Sequence, residues 1–379
     1  MNDSKQKMKK ILFLIPNLMH GGAEKVLVNL VNNLDSSKYE VTLFSIFDEG
    51  VNKEFLNKNI KYRFKFKNVF RGNSHFLKLF SPKILYQWFV KEEYDIAISF
   101  LEGPAARIIS GCQNSKTKKI AWIHTEIQDR NTAKVGFRTL KEAQKQYEKF
   151  DRIIGVSQNV VEGGQKFITT KTPSQVLYNV NETQSIIEKG KEPIDVIFSK
   201  EIPTLISVGK IVKIKGFDRL LEAHQQLIKE GILHEIFLVG IGAEEENLAK
   251  KAKDLGLSKS FKLLGFHKNP YQLMAKSDLY ICSSHREGFS TAVTEALILG
   301  VPVVSTNVSG AKELLGENNE FGIVTDNSTA GIYEGLKTLL TQPEKLAHYK
   351  IQAEIRGKEF STQKTVIAVE KLLDSLLHE

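Results

Sequence analysis

Cysteine is nearly absent from this chain, which has Cys112 and Cys282 and no other cysteine among its 379 residues. Because the two lie far apart in the sequence, a disulfide framework or a thiolate metal site is not expected. We predict two buried apolar thiols instead.

Long apolar runs are also missing. No stretch approaches the roughly twenty apolar residues that a membrane-spanning helix requires. The basic, polar start Met1–Lys10 is followed by an apolar run that lasts only from Ile11 to Ile15, which is too short for a signal peptide. We therefore expect a protein that stays in the cytoplasm.

Strand and helix patterns alternate along the whole chain, which favours parallel sheets. A length of 379 residues suits two domains of about 150 to 200 residues each. Strands are predicted at Ile11–Ile15, Val41–Ile46, Ile96–Phe100, Ile120–Ile123 and Ile153–Val156, and again at Leu205–Val208, Ile236–Val239, Phe261–Leu264, Leu279–Cys282, Val303–Thr306 and Gly322–Val324. We therefore predict an α/β protein with one parallel sheet in each half.

One strand, a loop and a helix carry the most informative stretch of the sequence. The apolar run Leu279–Cys282 predicts a short buried strand, residues 283–290 a loop, and Thr291–Leu299 a helix that ends at Gly300. Ser290 is placed to cap this helix and to leave amide groups of the first turn pointing outward. Such a helix end attracts anions, phosphate above all.

Two acidic residues flank the start of this helix. Glu287 lies in the loop, where its carboxylate can accept hydrogen bonds from sugar hydroxyls, and Glu295 can take both hydroxyls of a ribose. Together with the small and hydroxyl residues between them, they indicate a binding site for a sugar nucleotide. The alternative is that Glu295 is an ordinary exposed helix residue and Glu287 a surface charge, which is the usual case for an isolated pair at this spacing.

Several other motifs accompany this stretch. They are Gly21-Gly22-Ala23-Glu24, Gly209-Lys210 with Lys215-Gly216-Phe217, Leu238-Val239-Gly240 with Gly242 and Glu244-Glu245-Glu246, Gly300 to Thr306, and Ser309 to Leu315. In this order, from about residue 10 to about residue 325, the set resembles family-four retaining glycosyltransferases of the GT-B type.

The resemblance implies a GT-B fold, in which two Rossmann-like, doubly wound parallel-sheet domains face each other across a cleft. We place the acceptor-side domain at residues 1–185 and the nucleotide-sugar-binding domain at residues 195–360, with a hinge in the polar, irregular stretch Asn179–Glu201. The amphipathic helix at residues 361–379 is expected to pack back onto the first domain, as the last helix does in this fold.

The departing diphosphate of a sugar nucleotide needs positive charge beside it. The chain has no Asp-x-Asp motif, with which transferases of the other main architecture hold a metal, so we expect neither a metal nor a cofactor. The resemblance instead assigns this role to Lys210 and Lys215, next to Gly209. The family more often has arginine at the first position, and lysine lacks its bidentate fork. Taken alone, a loop lysine is more often a solvated charge.

Further residues are expected around the donor. The same diphosphate is predicted to meet backbone amides or a hydroxyl of Gly288, Phe289, Ser290 and Thr291. Gly21 and Gly22 form the corresponding loop of the first domain, where missing side chains let the backbone approach a ligand. A plain turn before a helix is the alternative interpretation of these two glycines.

The catalytic assignments rest on the resemblance. His124, which follows a predicted strand, resembles the family histidine beside the donor sugar, where it would bond a hydroxyl or steady charge at the anomeric carbon. Most lone histidines are structural. Retention of configuration is implied by the family, and we favour front-face attack, with Glu287 positioning the sugar, over a covalent intermediate.

Positive charge is concentrated in residues 51–91, which have ten lysines and arginines against Glu54 as the only acid. Aromatic residues alternate with these cations, a composition that suits an anionic membrane surface. The alternation of Tyr62, Phe64 and Phe66 with basic residues is equally typical of a half-buried strand. Both interpretations remain open at this point.

The sequence thus predicts a retaining hexosyltransferase, peripheral on the inner face of the cell membrane. It would act on a nucleotide sugar, with UDP as the expected nucleotide, and on a lipid-linked or glycan acceptor of bacterial capsule, exopolysaccharide or lipopolysaccharide synthesis. A UDP-sugar epimerase of the same fold is the first alternative. A nucleic-acid-binding protein, compatible with a pI of about 9.2, is the second, although no nucleic-acid motif is present and no nucleic acid is expected as a partner.

Overall fold

The computed structural model describes residues 8–19, 21–194 and 196–378, so most of the basic start Met1–Lys10 lies outside the described residues. The chain divides into two compact units. Unit 1 contains residues 1–180 and 363–379, and unit 2 contains residues 181–362. Within the described residues, none of the helices combines the length and apolarity needed to span a bilayer.

Unit 1 is built on seven strands. They are β1 (Lys9–Ile15), β2 (Tyr39–Phe47), β3 (Lys61–Phe66), β4 (Ile96–Ser99), β5 (Lys118–Ile123), β6 (Arg152–Gly155) and β7 (Ser174–Val176). The helices between them are α1 (Gly22–Asn33), α2 (Asn73–Leu79), α3 (Pro82–Phe89), α4 (Pro104–Ile109), α5 (Arg130–Ala133), α6 (Leu140–Tyr147) and α7 (Gln158–Ile168). All neighbouring strands pair in parallel, in the order β3-β2-β1-β4-β5-β6-β7.

Unit 2 is built on six strands. They are β8 (Thr204–Val208), β9 (Glu235–Val239), β10 (Phe261–Leu263), β11 (Leu279–Cys282), β12 (Val303–Thr306) and β13 (Ile323–Thr325). Its helices are α8 (Thr183–Gly190), α9 (Phe217–Lys229), α10 (Glu245–Asp254), α11 (Tyr271–Met274), α12 (Thr291–Ile298), α13 (Ala311–Leu315), α14 (Thr329–Thr341) and α15 (Pro343–Gly357), and α16 (Thr362–His378) ends the chain. The strands are again all parallel, in the order β10-β9-β8-β11-β12-β13.

The predicted α/β class is confirmed, and each predicted strand is present with ends that differ by at most two residues. The central strands read as continuous apolar runs because helices cover both faces of a parallel sheet. In β1, for example, every residue from Ile11 to Ile15 is fully buried. The buried thiols of Cys112 and Cys282 were also predicted correctly.

The polar stretch Asn179–Glu201, predicted to be irregular, contains a helix. Helix α8 buries Ile186 within unit 2. At its end Gly190 packs so closely that an added Cβ would lie 2.6 Å from Leu299 Cδ2. The polarity of the segment misled the prediction because only one narrow face of this short helix is apolar.

The last helix, α16, contacts unit 1 through both polar and apolar groups. Glu370 accepts a hydrogen bond of 2.8 Å from the backbone N–H of Asp35. Asp374 accepts one of 2.5 Å from the hydroxyl of Tyr39. The helix also buries the apolar side chains of Val369, Leu372, Leu373 and Leu376.

Two buried histidines in unit 2 were not identified from the sequence. His224 Nδ1 lies 2.8 Å from His234 Nε2, and the other ring nitrogen of His224 lies 2.9 Å from Ser260 Oγ. Both histidines are fully buried. Burial lowers the pKa of His224 to about 3 and also lowers the pKa of His234, so both rings are neutral in the folded protein.

Mild acid should therefore destabilise the protein. In the unfolded chain these histidines titrate near pH 6.5, so the unfolded state binds more protons than the folded state once the pH falls below that value. At pH 5 the buried, neutral His224 costs about 2 kcal/mol of stability, and the lowered pKa of His234 adds a cost of the same sign. We expect the thermal unfolding midpoint to fall between pH 7 and pH 5. The fall in the midpoint should be smaller in His224→Gln than in the wild type. It should be as large as in the wild type in the control His348→Gln, which replaces an exposed histidine. An equal fall in all three proteins would contradict this account.

Candidate active site

The candidate site of unit 2 lies where its sheet changes direction. Strands β8 and β11 are neighbours, although the chain passes through β9 and β10 between them. In doubly wound sheets the crevice at the carboxyl ends of two such strands is the usual ligand site. The loop that follows β8 contains Lys210 and Lys215, and the loop that follows β11 contains Glu287 and Ser290. Chain topology thus brings these four predicted residues to one edge.

A direct ion pair joins the two loops. Lys215 Nζ lies 2.6 Å from Glu287 Oε1, and the two side chains are 28% and 13% exposed. The hydroxyl of Ser284 donates a second hydrogen bond, of 2.5 Å, to the same carboxylate oxygen. The interpretations of Lys215 as a solvated charge and of Glu287 as a surface charge are therefore wrong.

The ion pair keeps Lys215 charged. Burial by itself disfavours the ammonium, but the adjacent Glu287 carboxylate outweighs it and raises the pKa of Lys215. An ammonium has three donors, so Lys215 can bond an anionic ligand while it remains paired with Glu287. The site therefore presents a fixed cation whose orientation is set before a ligand binds.

The loop after β8 is held against the loop after β11 by a close backbone approach. Gly216 has φ +62°, and an added Cβ would lie 2.2 Å from the carbonyl oxygen of Ser283, so only glycine fits there. The hydroxyl of Ser283 donates a 2.9 Å hydrogen bond to the carbonyl of Lys215. The buried guanidinium of Arg219 donates to the Ser283 carbonyl at 2.6 Å and to Asn327 Oδ1 at 2.9 Å. These contacts fix the backbone that supports the ion pair.

Helix α12 begins at the same edge. Its cap is Ser290, as predicted, and the Oγ accepts a 3.4 Å hydrogen bond from the N–H of Val293. Thr291, the first helical residue, is half-buried. The positive end of the helix dipole thus points towards the carboxyl edge of β11.

Glu295, one turn into α12, is only 6% exposed. Its Oε1 accepts a 2.9 Å hydrogen bond from the hydroxyl of Tyr271. The interpretation of Glu295 as an ordinary exposed helix residue is therefore wrong. A buried carboxylate is tolerated in a folded protein only where polar groups form hydrogen bonds with it.

The remaining predicted residues of unit 2 differ in their surroundings. Lys210 is exposed, so its position alone fits a solvated charge as well as a phosphate ligand. Gly209 follows β8 and donates its N–H to the carbonyl of Val239 at 3.0 Å. Gly288 and Phe289 are buried, and the Phe289 ring packs on Gly310, where an added Cβ would lie 2.8 Å from the ring.

Three predicted residues lie in unit 1, also at the carboxyl ends of strands. Gly21 caps α1 and Gly22 is its first residue, after the loop that follows β1. His124 directly follows β5, and its backbone N–H donates to Glu102 Oε2 at 3.0 Å. Its ring lies 4.5 Å from the ring of Phe100, centroid to centroid.

The imidazole of His124 is a neutral group. Burial lowers its pKa to about 3. Its Nε2 is buried, with no hydrogen-bond partner among the residues that the structure describes. Such a nitrogen is suited to bond a ligand hydroxyl, and it does not act as a cation near neutral pH.

No group of three or more histidine, cysteine, aspartate or glutamate side chains is arranged to hold a metal ion within the described part of the chain.

Two family profiles match the chain, one over each half. Residues 20–184 match "Glycosyltransferase Family 4" and residues 190–356 match "Glycosyl transferases group 1". The chain belongs to the family 4 glycosyltransferases. It is a retaining glycosyltransferase, as the ordered motifs predicted.

Individual relatives cover the chain to different extents. This glycosyltransferase is 29% identical over 370 residues, 94% of its chain and 97% of the relative, to N-acetylgalactosamine-N,N'-diacetylbacillosaminyl-diphospho-undecaprenol 4-alpha-N-acetylgalactosaminyltransferase of Campylobacter jejuni. It is 30% identical over 156 residues, 41% of its chain and 44% of the relative, to the lipopolysaccharide core biosynthesis glycosyltransferase LpsE of Rhizobium meliloti. The crystal structure of Anabaena HepE in complex with UDP and glucose matches with a TM-score of 0.78 at 21% identity, covering 97% of this chain and 100% of that one. The GT-B fold is thereby confirmed.

Sequence reasoning missed several residues of this glycosyltransferase that contact the predicted ones. Ser284 and Tyr271 bond the two glutamates, Arg219 fixes the loop below the ion pair, and Glu102 holds the backbone of His124. Ser284 lies within the motif and was within reach of the sequence argument. Tyr271 was not, because it lies 24 residues before Glu295, on the far side of a strand.

Proposed function

We propose that this glycosyltransferase moves a hexosyl or N-acetylhexosaminyl unit from a UDP-sugar to a lipid-linked or polysaccharide acceptor. The setting would be bacterial capsule, exopolysaccharide or lipopolysaccharide synthesis. The observation that carries the proposal is the Lys215–Glu287 ion pair beside the capped end of α12. It places a cation, a carboxylate and a helix dipole at one switch point of the sheet. The cation and the dipole suit a diphosphate, and the carboxylate suits the hydroxyls of a sugar.

In this proposal Lys210, Lys215 and the start of α12 stabilise the diphosphate as the glycosidic bond breaks. Backbone groups of Gly209, Gly288 and Phe289, with Ser290 and Thr291, complete that anion site. Glu295 binds the ribose hydroxyls. The donor half would be residues 195–360, and the acceptor half residues 1–185 with the last helix.

The transfer itself would retain the anomeric configuration by front-face attack. Glu287, already held by Lys215 and Ser284, positions the donor sugar and does not attack it. As a neutral imidazole, His124 forms a hydrogen bond with a sugar hydroxyl through Nε2, while Gly21 and Gly22 let the backbone of unit 1 approach the ligand. The leaving phosphate takes the acceptor proton, and Lys210 and Lys215 supply the positive charge for which other transferases use a metal.

The choice of nucleotide and acceptor draws on relatives. HepE was crystallised with UDP and glucose, and the Campylobacter enzyme is named for a diphospho-undecaprenol acceptor. LpsE is named for lipopolysaccharide core synthesis. These names support a UDP-sugar donor and a lipid-linked acceptor for this chain.

A panel of UDP-sugars, supplied with and without undecaprenyl-diphosphate-linked sugar acceptors, tests the proposal. Release of UDP should require an acceptor and should persist in EDTA. The glycosylated product should be α-linked when the donor is α-linked. An interconverted UDP-sugar formed without any acceptor would establish the epimerase alternative instead. Loss of the chemical step in EDTA, restored by a divalent metal, would contradict the metal-free mechanism.

We further propose that unit 1 docks on the anionic inner face of the cell membrane. A chain of aromatic rings in residues 51–91 forms the base of the surface, with neighbouring centroids 5.4 to 5.7 Å apart from Phe66 through Phe70, Phe76, Phe80, Trp88 and Phe89. Large apolar side chains project beyond it, among them Leu79, which is 73% exposed, and Ile84, which is 50% exposed. Exposed apolar groups beside cations are typical of interfacial binding.

Part of the charge in this segment is neutralised within unit 1. Residues Lys61–Phe66 form β3, the edge strand of the sheet, so the predicted strand is present. Its burial does not alternate as predicted, because Phe64 is 46% exposed while Arg63 and Lys65 are half-buried. Glu92 pairs with Lys61 and Arg63, and Asp48 pairs with Lys53. Among the described residues, cations of this segment without an ion-pair partner include Lys67, Arg71, Lys78 and Lys83. These are the cations that we propose to face lipid head groups.

Acidic substitutions should abolish this docking. We expect Leu79→Glu with Ile84→Glu to lower the fraction of protein that sediments with liposomes containing anionic lipid at low salt by at least about fivefold, because each change buries a charge at the interface. The matched control is Ile351→Glu with Ile355→Glu, which alters two exposed isoleucines on α15 of unit 2. Wild-type protein that ignores such liposomes would contradict the docking proposal.

A further inference from the structure

A tyrosine contacts the carboxylate that the proposed function assigns to the ribose. The hydroxyl of Tyr271 donates a 2.9 Å hydrogen bond to Glu295 Oε1. Tyr271 is 5% exposed and Glu295 is 6% exposed. The contact links the first residue of α11 with the second turn of α12, and these elements are separated in the chain by β11.

The position of the tyrosine is itself fixed by contacts that run through Asn269 to the end of α8. The backbone N–H of Tyr271 donates to Asn269 Oδ1 at 3.1 Å. The amide of Asn269 donates in turn to the carbonyl of Lys189 at 3.0 Å and to Glu192 Oε2 at 2.8 Å. The start of α11 is thereby tied to the end of α8, so the tyrosine hydroxyl is presented to Glu295 from a braced backbone.

A glutamate needs such a partner if its carboxylate is to have one orientation. The terminal torsion of glutamate is broad, and the carboxylate of an unrestrained side chain samples many directions. A hydrogen bond from a hydroxyl to a charged carboxylate is directional and stronger than one between neutral groups. An ionised carboxylate has two oxygens and about four acceptor sites in all, so it can accept several hydrogen bonds at once.

We propose that Tyr271 is a positioning residue that orients the Glu295 carboxylate towards the ribose 2′-hydroxyl of the donor nucleotide. Discrimination between a ribonucleotide and its 2′-deoxy counterpart then depends on the tyrosine hydroxyl, although that hydroxyl does not touch the ligand. The inference rests on the proposed function, in which Glu295 binds the ribose.

Titration calorimetry with UDP and 2′-deoxy-UDP tests the inference on four full-length proteins. They are the wild type, Tyr271→Phe, Glu295→Gln and the control Tyr333→Phe. The control removes another tyrosine hydroxyl that donates to a glutamate, Glu230 Oε1 at 2.6 Å, in a contact between α14 and the end of α9. Thermal unfolding midpoints of all four proteins show whether each variant is folded.

Wild-type protein should bind UDP about tenfold more tightly than 2′-deoxy-UDP, as expected when one charge-assisted hydrogen bond is lost. In Tyr271→Phe and in Glu295→Gln this ratio should fall to about twofold or less, while Tyr333→Phe should keep the wild-type ratio. In steady-state assays Tyr271→Phe should raise the KM for the donor and leave kcat within about threefold of the wild type. The reason is that contacts with the ribose stabilise the ground state and the transition state equally.

The outcomes separate the inference from the function on which it rests. A wild-type ratio in Glu295→Gln would refute the assigned ribose role of Glu295, and with it this inference. A reduced ratio in Glu295→Gln combined with a wild-type ratio in Tyr271→Phe would overturn the role of Tyr271 and leave the proposed function standing. Equal weakening of both nucleotides in Tyr271→Phe would also overturn it, since it would indicate a merely structural contact. Wild-type protein that binds neither nucleotide would contradict the UDP donor itself.

Discussion

Replacing Lys215 with alanine should lower kcat by about 10²- to 10³-fold, the loss typical of removing one preorganised group that stabilises transition-state charge. The ammonium lies 2.6 Å from Glu287 Oε1, and its raised pKa keeps it charged at neutral pH. In the proposed mechanism its removal takes away the cation that stabilises the departing diphosphate, and it leaves the largely buried Glu287 carboxylate without its ionic partner. Steady-state kinetics with saturating UDP-sugar and acceptor measure the effect.

The neighbouring Lys213 provides a matched control. It lies in the same short 3₁₀ turn, two residues before Lys215, and is exposed. Lys213→Ala should keep kcat within about twofold of the wild type, since a solvated surface charge contributes little. If both alanine variants lose activity equally, the effect arises from the turn or from general electrostatics. If Lys215→Ala remains fully active, the assignment of Lys215 fails.

The second large effect is expected for Glu287→Gln, which should lower kcat/KM by about 10²-fold. The amide retains the shape of the side chain but removes the charge that holds Lys215, and it weakens acceptance of a sugar hydroxyl. Kinetics should be compared with Glu317→Gln, which removes the partner of Lys312 in an exposed pair 3.6 Å apart. That control should be nearly silent, because exposed ion pairs contribute little.

The role of Glu287 as a positioning group or as a nucleophile is decided by mass spectrometry. A 2-fluoro donor slows the breakdown of glycosyl-enzyme esters, so a nucleophilic Glu287 would be recovered with an added sugar mass. We expect wild-type protein of unchanged mass, since Glu287 is engaged by Lys215 and Ser284 and, in the proposed mechanism, only positions the donor. A glycosylated peptide that contains Glu287 would contradict front-face attack.

Much of the fold could be predicted because both sheets are parallel. Their strands are buried on both faces, so runs such as Ile11–Ile15 and Leu279–Cys282 are apolar without interruption and stand out in the sequence. The edge strand β3 was harder, because its alternating basic and aromatic residues fit a membrane surface equally well and none of them is fully buried. The helix α8 was missed because its polar residues outweigh the one buried isoleucine.

The candidate site was predictable in part for a similar reason. Ser290 and Glu295 are related by the spacing of one helix, so the sequence constrains their geometry directly. Lys215 and Glu287 are 72 residues apart, and only the family resemblance connected them before the structure showed their ion pair. Contacts such as Tyr271 with Glu295 depend on how α11 packs on α12, which no local pattern encodes.

A crystal structure of the protein with bound UDP tests the central claim most directly. The account predicts the diphosphate at the carboxyl edge of β8 and β11, in contact with Lys210, Lys215 and the start of α12, and the ribose hydroxyls on Glu295. UDP bound elsewhere on the protein, or a Glu295 carboxylate directed away from the ribose, would contradict it.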